Sequence, residues 1–577
     1  MTAPDQPTLG SAVVFHLKVA GLRVQRWISD LRRPVPRHAR GSAPSSSLAV
    51  ESRSKLWNPA ASAERAYEIG KVQNLRAAAA RLDGLLIPGG KVFSFWRQMG
   101  RATARRGFVR GRMLQQGCLV PSVGGGLCQL SNALYQVALE AGCEIVERHA
   151  HSRVVPGSGA ALGQDATIAW NYVDLRFRPK SDLQLEVRLT PDELVVRMNT
   201  RASVRLLVLN GVSSHQDERA EANNCFTCGA DTCLHHPRAA ALPTSDRRAF
   251  LMDERWPEFE RWIAESATAH DALFIPLNGA RWGLERYRWS VEPFGQVRHA
   301  AWPTLRRSWA SRRLAAQGAA RQQALLAGAE ALARAYGRAL RPEMTSLVVA
   351  QSLLPFLWRD GHLGGREFTV VMTRLPISNL ERTLDAAFAR HPEYPTLIDF
   401  RAPAWLAAAE SEALASARII VTPHAAVADL FGGRATRLDW ILPRVTVRPA
   451  AGAHSSAIGF PGPAVARRGA HLVRAAAKEL GFRVVVTARS LEGDGFWDGI
   501  CQPAESGSAW LGQVQAVVLP AIVENQPRAL LAAIAAGVPV IASRACGIEV
   551  QPGLTLIDSE EDLVNALRAC SAATTFR

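Results

Sequence analysis

The feature of this sequence that most constrains its fold is the glycine run Gly124-Gly125-Gly126, directly before Leu127 and Cys128. Three consecutive glycines are unfavourable inside a helix or strand, and they permit a tight turn that other groups can approach closely. Apolar residues then recur at helical spacing as far as Gly142, which predicts a buried helix beginning near Cys128. Because a helix start favours a thiolate, Cys128 is a candidate nucleophile; the alternative is a small buried packing residue.

Downstream residues could complete such a site. His149 and His151 share one face of a predicted extended segment, and Asp165 follows near a second one. Cysteine at a helix start, then histidine and aspartate on strands, is the order of a nucleophile, a base and an orienting carboxylate. Either histidine could be the base, and the pair could instead bind a metal or be structural. The pattern predicts a thiol site with Cys128, Asp165 and one of the two histidines.

At these residues the sequence resembles the VanW family. The resemblance rests on motifs in the second quarter of the chain: Lys71-Val72-Gln73-Asn74-Leu75, Phe93-Ser94-Phe95-Trp96, Gly124 to Gln129, Glu147 to Ser152, Asp165-Ala166-Thr167 and Asp174. It implies a VanW domain but no particular reaction. The family is named for an accessory gene of glycopeptide-resistance clusters, and some members carry peptidoglycan-associated modules. The resemblance therefore implies a role in the cell envelope.

Hydrophobic patterns divide the 577 residues into five segments. Residues 1–54 are predicted to be a basic amphipathic helix and a linker, and residues 55–200 to be the α+β VanW domain, with one central helix against antiparallel strands. Residues 201–262 form a Cys/His-rich connection. In residues 263–450 and 451–577 short β-rich runs alternate with helices. The expected fold class is thus an α+β domain followed by an α/β pair of doubly wound domains.

The connecting segment contains a cluster of possible metal ligands. Cys225, Cys228 and Cys233 precede His235 within one short loop. Tetrahedral zinc needs four such ligands, and this loop could supply three cysteines and one histidine. An iron–sulfur cluster held by three thiolates is the competing interpretation, and a loop of free thiols is the third. The close grouping of three cysteines in a polar loop favours a metal, although the spacing matches no standard zinc module.

The last domain resembles the C-terminal half of GT-B glycosyltransferases of the family-4 type. The resemblance rests on two segments, Val518 to Pro527 and Ala533 to Ala542. In that family two glutamates, separated by seven residues, contact the donor sugar and the nucleotide ribose; Glu524 fits the first, but Ala532 stands at the second. Arg468, before Gly469, matches a basic phosphate partner, whereas Pro461 replaces the family's arginine. The resemblance implies a nucleotide-sugar site weakened by lost charged contacts.

A further candidate lies in the preceding domain. His424 follows a predicted strand within Thr422-Pro423-His424, where it could face an acceptor or a phosphate, or be structural. Ligands of doubly wound domains bind off the carboxyl ends of the strands. A ligand is therefore expected between the two domains.

The formal net charge of +17 comes from arginines spread along the whole chain. It favours anionic partners such as nucleotide-sugars, phosphorylated lipid carriers or an anionic membrane surface. Nucleic acid is disfavoured because no known nucleic-acid-binding pattern is present. The basic helix near the N-terminus could lie on an anionic bilayer or dock on the protein itself.

Neither a membrane span nor a signal peptide is predicted, since no run of about 18 apolar residues occurs and the first ten residues lack lysine and arginine. We therefore expect a cytoplasmic protein, with membrane contact at the inner face as an option. Its nine cysteines are then thiols or metal ligands.

These patterns favour a role in cell-envelope glycan or glycopeptide-related biosynthesis or resistance. One hypothesis is acyl transfer or hydrolysis at Cys128, and a second is sugar transfer by the last two domains. A third is a non-catalytic scaffold that binds a nucleotide-sugar or glycan, which Ala532 favours. The patterns do not predict the oligomeric state.

Overall fold

The computed structural model describes residues 9–41, 48–58, 65–115, 118–151, 165–200, 223–224, 233, 246–313, 319–445 and 457–575. The chain forms two compact units. The first comprises Met1–Arg247, Leu340–Ser346 and Asp360–Glu367, and the second comprises Arg248–Ala339, Leu347–Arg359 and Phe368–Arg577.

The first unit begins with a long helix and continues into small sheets. Its helices are α1 (Leu9–Arg32), α2 (Arg65–Leu82), α3 (Phe95–Met99) and α4 (Cys128–Glu140). Its strands are β1 (Leu48–Lys55), β2 (Leu85–Ile87), β3 (Phe93–Ser94), β4 (Arg110–Gln115), β5 (Cys118–Val123), β6 (Glu144–Glu147), β7 (Arg176–Arg178), β8 (Leu183–Leu189), β9 (Glu193–Thr200) and β10 (Asn223–Asn224).

These strands form three sheets with the orders β1-β9-β8-β2, β10-β5-β4 and β3-β7-β6. The first and third are antiparallel throughout. The α+β prediction is therefore confirmed, with α4 starting at Cys128. The sequence pattern predicts one antiparallel sheet from the runs Tyr172 to Phe177, Leu183 to Leu189 and Leu194 to Met198. In the structure these runs belong to two sheets, because β7 pairs with β3 and β6 and not with β8.

The core of this unit lies between α2, α4 and the inner faces of the strands. In β8, Leu183, Leu185 and Val187 are buried, whereas the alternate residues are not. This period of two is typical of a sheet with one covered face. Leu75 of α2 and Leu134 of α4 are fully buried against the same core.

One strand lies in the segment predicted as linker. β1 pairs with β9 along its whole length, from Leu48 opposite Thr200 to Lys55 opposite Glu193. Its sequence, Leu-Ala-Val-Glu-Ser-Arg-Ser-Lys, is mostly polar, and its pairing partner lies far away in the chain. A local hydrophobic pattern therefore gives no sign of it.

A seven-stranded sheet follows. Its strands are β11 (Arg247–Leu251), β12 (Ala272–Ile275), β13 (Gln296–His299), β14 (Met344–Ala350), β15 (Glu367–Val371), β16 (Ile419–Thr422) and β17 (Ala435–Arg437). The helices are α5 (Pro257–Ser266), α6 (Gly279–Trp282), α7 (Ala301–Arg313), α8 (Ala319–Ala339), α9 (Leu354–Arg359), α10 (Ile377–Arg390), α11 (Ala404–Ser416) and α12 (Ala425–Phe431). The order is β13-β12-β11-β14-β15-β16-β17, so the sheet is wound in two directions from β11 and β14. It begins at residue 247, before the boundary expected at 263.

The last sheet has six parallel strands. They are β18 (Ala457–Phe460), β19 (Arg483–Val486), β20 (Cys501–Pro503), β21 (Ala516–Leu519), β22 (Val540–Ser543) and β23 (Leu554–Ile557). Helices α13 (Ala470–Leu480), α14 (Arg528–Ala535) and α15 (Glu560–Thr575) accompany them. The order β20-β19-β18-β21-β22-β23 reverses direction between β18 and β21. The prediction of two doubly wound α/β domains is thus confirmed.

Within the described residues, no helix combines the length and the apolarity needed to cross a bilayer.

Candidate functional sites

The glycine turn places Cys128 as the first residue of α4. Gly126 has φ +95°, and a Cβ on it would lie 2.2 Å from Cγ of Lys71, so only glycine fits here without strain. The amide side chain of Asn74 donates to the carbonyl oxygen of Gly125 over 2.8 Å. The turn is thereby fixed against α2, and the Cys128 side chain is partly buried at a helix start.

His151 and Asp165 come together beside this thiol. Nδ1 of His151 contacts Oδ2 of Asp165, and the same oxygen accepts the backbone N–H of His151 at 3.0 Å. Since Nδ1 is engaged by the carboxylate, Nε2 is the ring nitrogen left for the thiol. His151 also interacts with Cys128 by hydrogen bond and charge. Three of the four predicted thiol-site residues therefore form one cluster.

The cluster favours a charge-separated pair. Burial by itself raises the pKa of the Cys128 thiol, but the hydrogen bond and charge of His151 outweigh it, and the pKa lies below its ordinary value. Burial lowers the pKa of His151, yet Asp165 and Cys128 raise it to about 10. The pKa of Asp165 is lowered, because the hydrogen bonds from His151 outweigh burial. These pKa shifts all favour the charged forms, which are a thiolate, an imidazolium and a carboxylate.

His149 lies outside the cluster. Its side chain is half exposed, and Nε2 lies 3.5 Å from Oε1 of Glu147. Glu147 in turn pairs with Arg26 and Arg176. The structure therefore distinguishes the two histidines, which the sequence alone did not: His151 belongs to the thiol cluster and His149 does not.

Several residues that sequence reasoning did not single out hold the Asp165 segment against α4. The side chain of Asn132 accepts the backbone N–H of Ala166 at 2.7 Å, and Ser131 donates to the carbonyl oxygen of Ala166. The hydroxyl of Thr167 lies 3.9 Å from Sγ of Cys128. Ser131 and Asn132 follow Cys128 by three and four residues, the helical spacing of one face, and this spacing was the available signal.

A second cluster lies at the switch point of the last sheet. Arg468 follows β18 and Glu524 follows β21, the two strands between which the order reverses. Nη2 of Arg468 lies 3.1 Å from Oε2 of Glu524. Nε2 of His424, which follows β16, lies 3.0 Å from the carbonyl oxygen of Glu524, so this nitrogen carries the proton. Gly469 is the N-cap of α13. The predicted donor-site residues Arg468, Gly469 and Glu524 thus lie together, and His424, predicted to face an acceptor or a phosphate, lies beside them.

An arginine missed in the sequence connects the two parallel sheets next to this cluster. Arg528, at the start of α14, donates to both carboxylate oxygens of the buried Glu258 on α5, over 2.7 and 2.6 Å. Its guanidinium lies 5.0 Å from the ring centre of Trp256 and 5.4 Å from that of Trp440. The two halves of the second unit are therefore joined by a charged and aromatic contact.

The predicted metal loop is mostly outside the described residues. Of its four candidate ligands only Cys233 is described, as a partly buried free thiol; Cys225, Cys228 and His235 are not. In the part of the chain that the structure does describe, no three His, Cys, Asp or Glu side chains are grouped to hold a metal ion. The metal site stays a prediction.

Fold and sites together define a two-part protein: an α+β domain with a thiol–imidazole–carboxylate cluster, and two doubly wound domains. Residues 70–199, within the α+β part, match the family model described as VanW like protein, and this matched segment is here called the VanW domain.

Two curated proteins are similar to this domain. The vancomycin B-type resistance protein VanW of Enterococcus faecalis is 36% identical over 151 residues, which is 25% of this chain and 54% of that protein. The uncharacterized protein YoaR of Bacillus subtilis is 32% identical over 115 residues, 20% of this chain and 37% of that one. The chain thus spans about half of the first relative and less of the second.

Among solved structures, similarity extends over 57% of the chain. HepE of Anabaena, solved with UDP and glucose, matches with a TM-score of 0.33 and 13% identity over 90% of its length. Sucrose-phosphate synthase of Thermosynechococcus elongatus matches with 0.36 and 14%, also over 90%. TM-scores this low do not establish a fold, and the fold of these domains rests on the strand orders of the two parallel sheets.

Proposed function

We propose that the VanW domain catalyses thiol-dependent acyl transfer or hydrolysis, with Cys128 as nucleophile. The observation that carries this proposal is the contact of His151 with both Cys128 and Asp165. A structural cysteine packed in a core needs no such partners, and burial alone would have raised its pKa. His151 is the base and acid, and Asp165 orients its ring.

The proposed reaction starts from the charged forms of Cys128 and His151. The Cys128 thiolate attacks a carbonyl carbon and forms a thioester, while the bond from that carbon to the leaving nitrogen or oxygen breaks. The His151 imidazolium gives its proton to the leaving group. The neutral imidazole then takes a proton from water or a second nucleophile, which attacks the thioester and restores the thiolate. The backbone amide of Ile168 also bonds to the sulfur and helps to stabilise its charge.

Cell-envelope chemistry is the setting that we propose. It is supported by the name of the Enterococcus faecalis relative, a vancomycin resistance protein. We propose that the protein works in the cytoplasm, at the inner face of the membrane, on a glycan or glycopeptide-related compound. The net charge of +17 suits an anionic membrane surface and phosphorylated lipid carriers.

A second candidate function concerns the doubly wound domains, for which we propose weak nucleotide-sugar binding with slow or no turnover. The observation in its favour is the Arg468–Glu524 pair at the switch point. A diphosphate would compete for Arg468 and leave Glu524 to accept hydroxyl groups. Binding is weak because Pro461 and Ala532 supply no charge.

For the connecting loop we propose one bound zinc ion, with an iron–sulfur cluster as the alternative. Cys225, Cys228, Cys233 and His235 would supply the ligands. Metal analysis of protein purified without chelator and without oxygen should find about one zinc per chain, or iron with sulfide. The double variant Cys225→Ser/Cys228→Ser should lose it. Metal-free wild-type protein would refute the proposal.

The thiol proposal is tested by trapping an acyl-enzyme. Incubation with p-nitrophenyl acetate should release a burst of p-nitrophenol and leave an acetyl group on the peptide that contains Cys128. Cys128→Ala should show no burst, and Cys143→Ala, which removes another buried thiol of the same domain, should keep it. An equal burst from Cys128→Ala would exclude Cys128 as the nucleophile.

A further inference from the structure

Helix α1 contacts the VanW domain through its charged side. Three side chains at helical spacing make the bonds: Arg23 donates to the carbonyl oxygen of Trp170 (2.9 Å), Arg26 donates to Glu147 (2.8 Å), and Asp30 accepts from Arg176 (2.8 Å). A helix that docks on its own protein normally turns its apolar stripe inwards. Here the polar side faces the protein.

The apolar side of α1 faces away. Val19 is the one buried residue of this helix, whereas Leu17 is 68% exposed, Val24 56%, Trp27 62% and Leu31 63%. Leu9 and Val13 continue the same row. With about 3.6 residues per turn these residues share one side of the helix. A stripe of this length, open to solvent, needs an apolar partner.

Charge decides which partner fits. Asp30 is the single acidic residue of α1, and Arg176 neutralises it, while Lys18 and Arg32 remain exposed outside the apolar row. Two copies of this cationic helix would repel each other. If the apolar row formed the a/d seam of a two-stranded coiled coil, Val14 and Ile28 would occupy e positions. Such coiled coils place charged pairs there. An anionic bilayer offers both acyl chains for the stripe and phosphates for the cations.

We infer that α1 holds the protein on an anionic lipid bilayer, with the row Leu9, Val13, Leu17, Val24, Trp27 and Leu31 inserted at the headgroup boundary. Two of the residues that α1 contacts are also close in sequence to the thiol site. Glu147 precedes His151 by four residues, and Trp170 follows Asp165 by five. The inferred membrane contact does not rest on the proposed thiol function.

The test is co-sedimentation of the full chain with vesicles of phosphatidylcholine, alone or mixed with phosphatidylglycerol. Wild type should bind the mixed vesicles about tenfold more tightly than the neutral ones. Leu17→Gln/Leu31→Gln should bind the mixed vesicles at least about tenfold more weakly. The matched control Gln25→Ala/Ser29→Ala changes two exposed polar residues of the same helix that lie outside the apolar row, and it should stay within about twofold of wild type.

Equal binding by wild type and Leu17→Gln/Leu31→Gln would overturn the inference. So would a wild-type dimer, seen by analytical ultracentrifugation, that this variant dissociates while neither protein binds vesicles. Alkylation of Cys128 serves as the internal control. Rapid alkylation without vesicle binding overturns the membrane contact alone, and vesicle binding with an inert Cys128 overturns only the thiol function.

Discussion

At the residue scale, His149 and His151 have the same side chain but different neighbours. His151 lies between a carboxylate and a thiol, whereas His149 is half exposed beside Glu147. The residue types and their order along the chain predicted Cys128, Asp165 and a histidine. The choice between the histidines depends on the course of the backbone after β6, which residue types do not encode.

The Arg468–Glu524 pair permits a prediction of the same scale. Arg468→Ala should lower the affinity for UDP- or GDP-linked sugars by at least about tenfold, since a charged hydrogen bond contributes about 1.5–3 kcal/mol. Isothermal titration calorimetry measures it. Arg544→Ala, which removes an exposed arginine paired with Asp558, is the control and should bind as wild type does. Tight binding that survives Arg468→Ala would show that other residues hold the phosphates.

At the element scale, the helices and the apolar strands were predictable and the polar strand was not. The alternating run Leu183 to Leu189 forms β8, and the apolar run Ala457 to Phe460 forms β18. Both are apolar on the faces that become buried. By contrast, β1 is stabilised by pairing with β9, a partner more than a hundred residues away. Strand β11 lies within residues 201–262, which were interpreted as a connection from their cysteines and histidines and not from their hydrophobic pattern.

The glycine turn before α4 gives a prediction about stability. Gly126→Ala should lower the free energy of unfolding by about 2–4 kcal/mol, because φ is +95° and the new Cβ would overlap Lys71. Gly142→Ala is the control. It also has positive φ, but no atom lies within 4 Å of its Cβ position, so about 1 kcal/mol is expected. Denaturant unfolding measures both. Equal losses would show that the contact with Lys71 is unimportant.

At the scale of the whole molecule, two units with different architectures share one chain. Their fold classes were predictable because the α+β and α/β patterns differ in period and in strand spacing. The contact between the two parallel sheets was not predictable, since Arg528 lies 270 residues from its partner Glu258 in the sequence. Contacts of this kind depend on tertiary packing.

That contact gives a further prediction. Arg528→Ala leaves Glu258 buried without its guanidinium and should cost about 3 kcal/mol in the stability of the second unit. Arg568→Ala removes an exposed arginine that pairs with Glu479, and it should change stability by less than about 0.5 kcal/mol. Thermal unfolding compares the two. Equal effects would mean that the buried pair is no more important than the surface pair.

The central claim is that His151 lowers the pKa of the Cys128 thiol, and the pH dependence of the alkylation of this thiol tests the claim most directly. Iodoacetamide labelling, mapped by mass spectrometry, should find Cys128 the fastest of the nine cysteines near neutral pH. Since its pKa is lowered, the rate should persist as the pH falls below about 8.5, where ordinary thiols are protonated.

The variants decide whether His151 is the cause. His151→Gln removes the hydrogen bond and the charge that lower the pKa of Cys128 most. Burial is then opposed only by the bonds from Ile168 and Thr167, so the alkylation profile of Cys128 should move to higher pH. His149→Gln should leave the profile unchanged. A Cys128 that stays inert while other thiols react, or the same profile in both histidine variants, would contradict the claim.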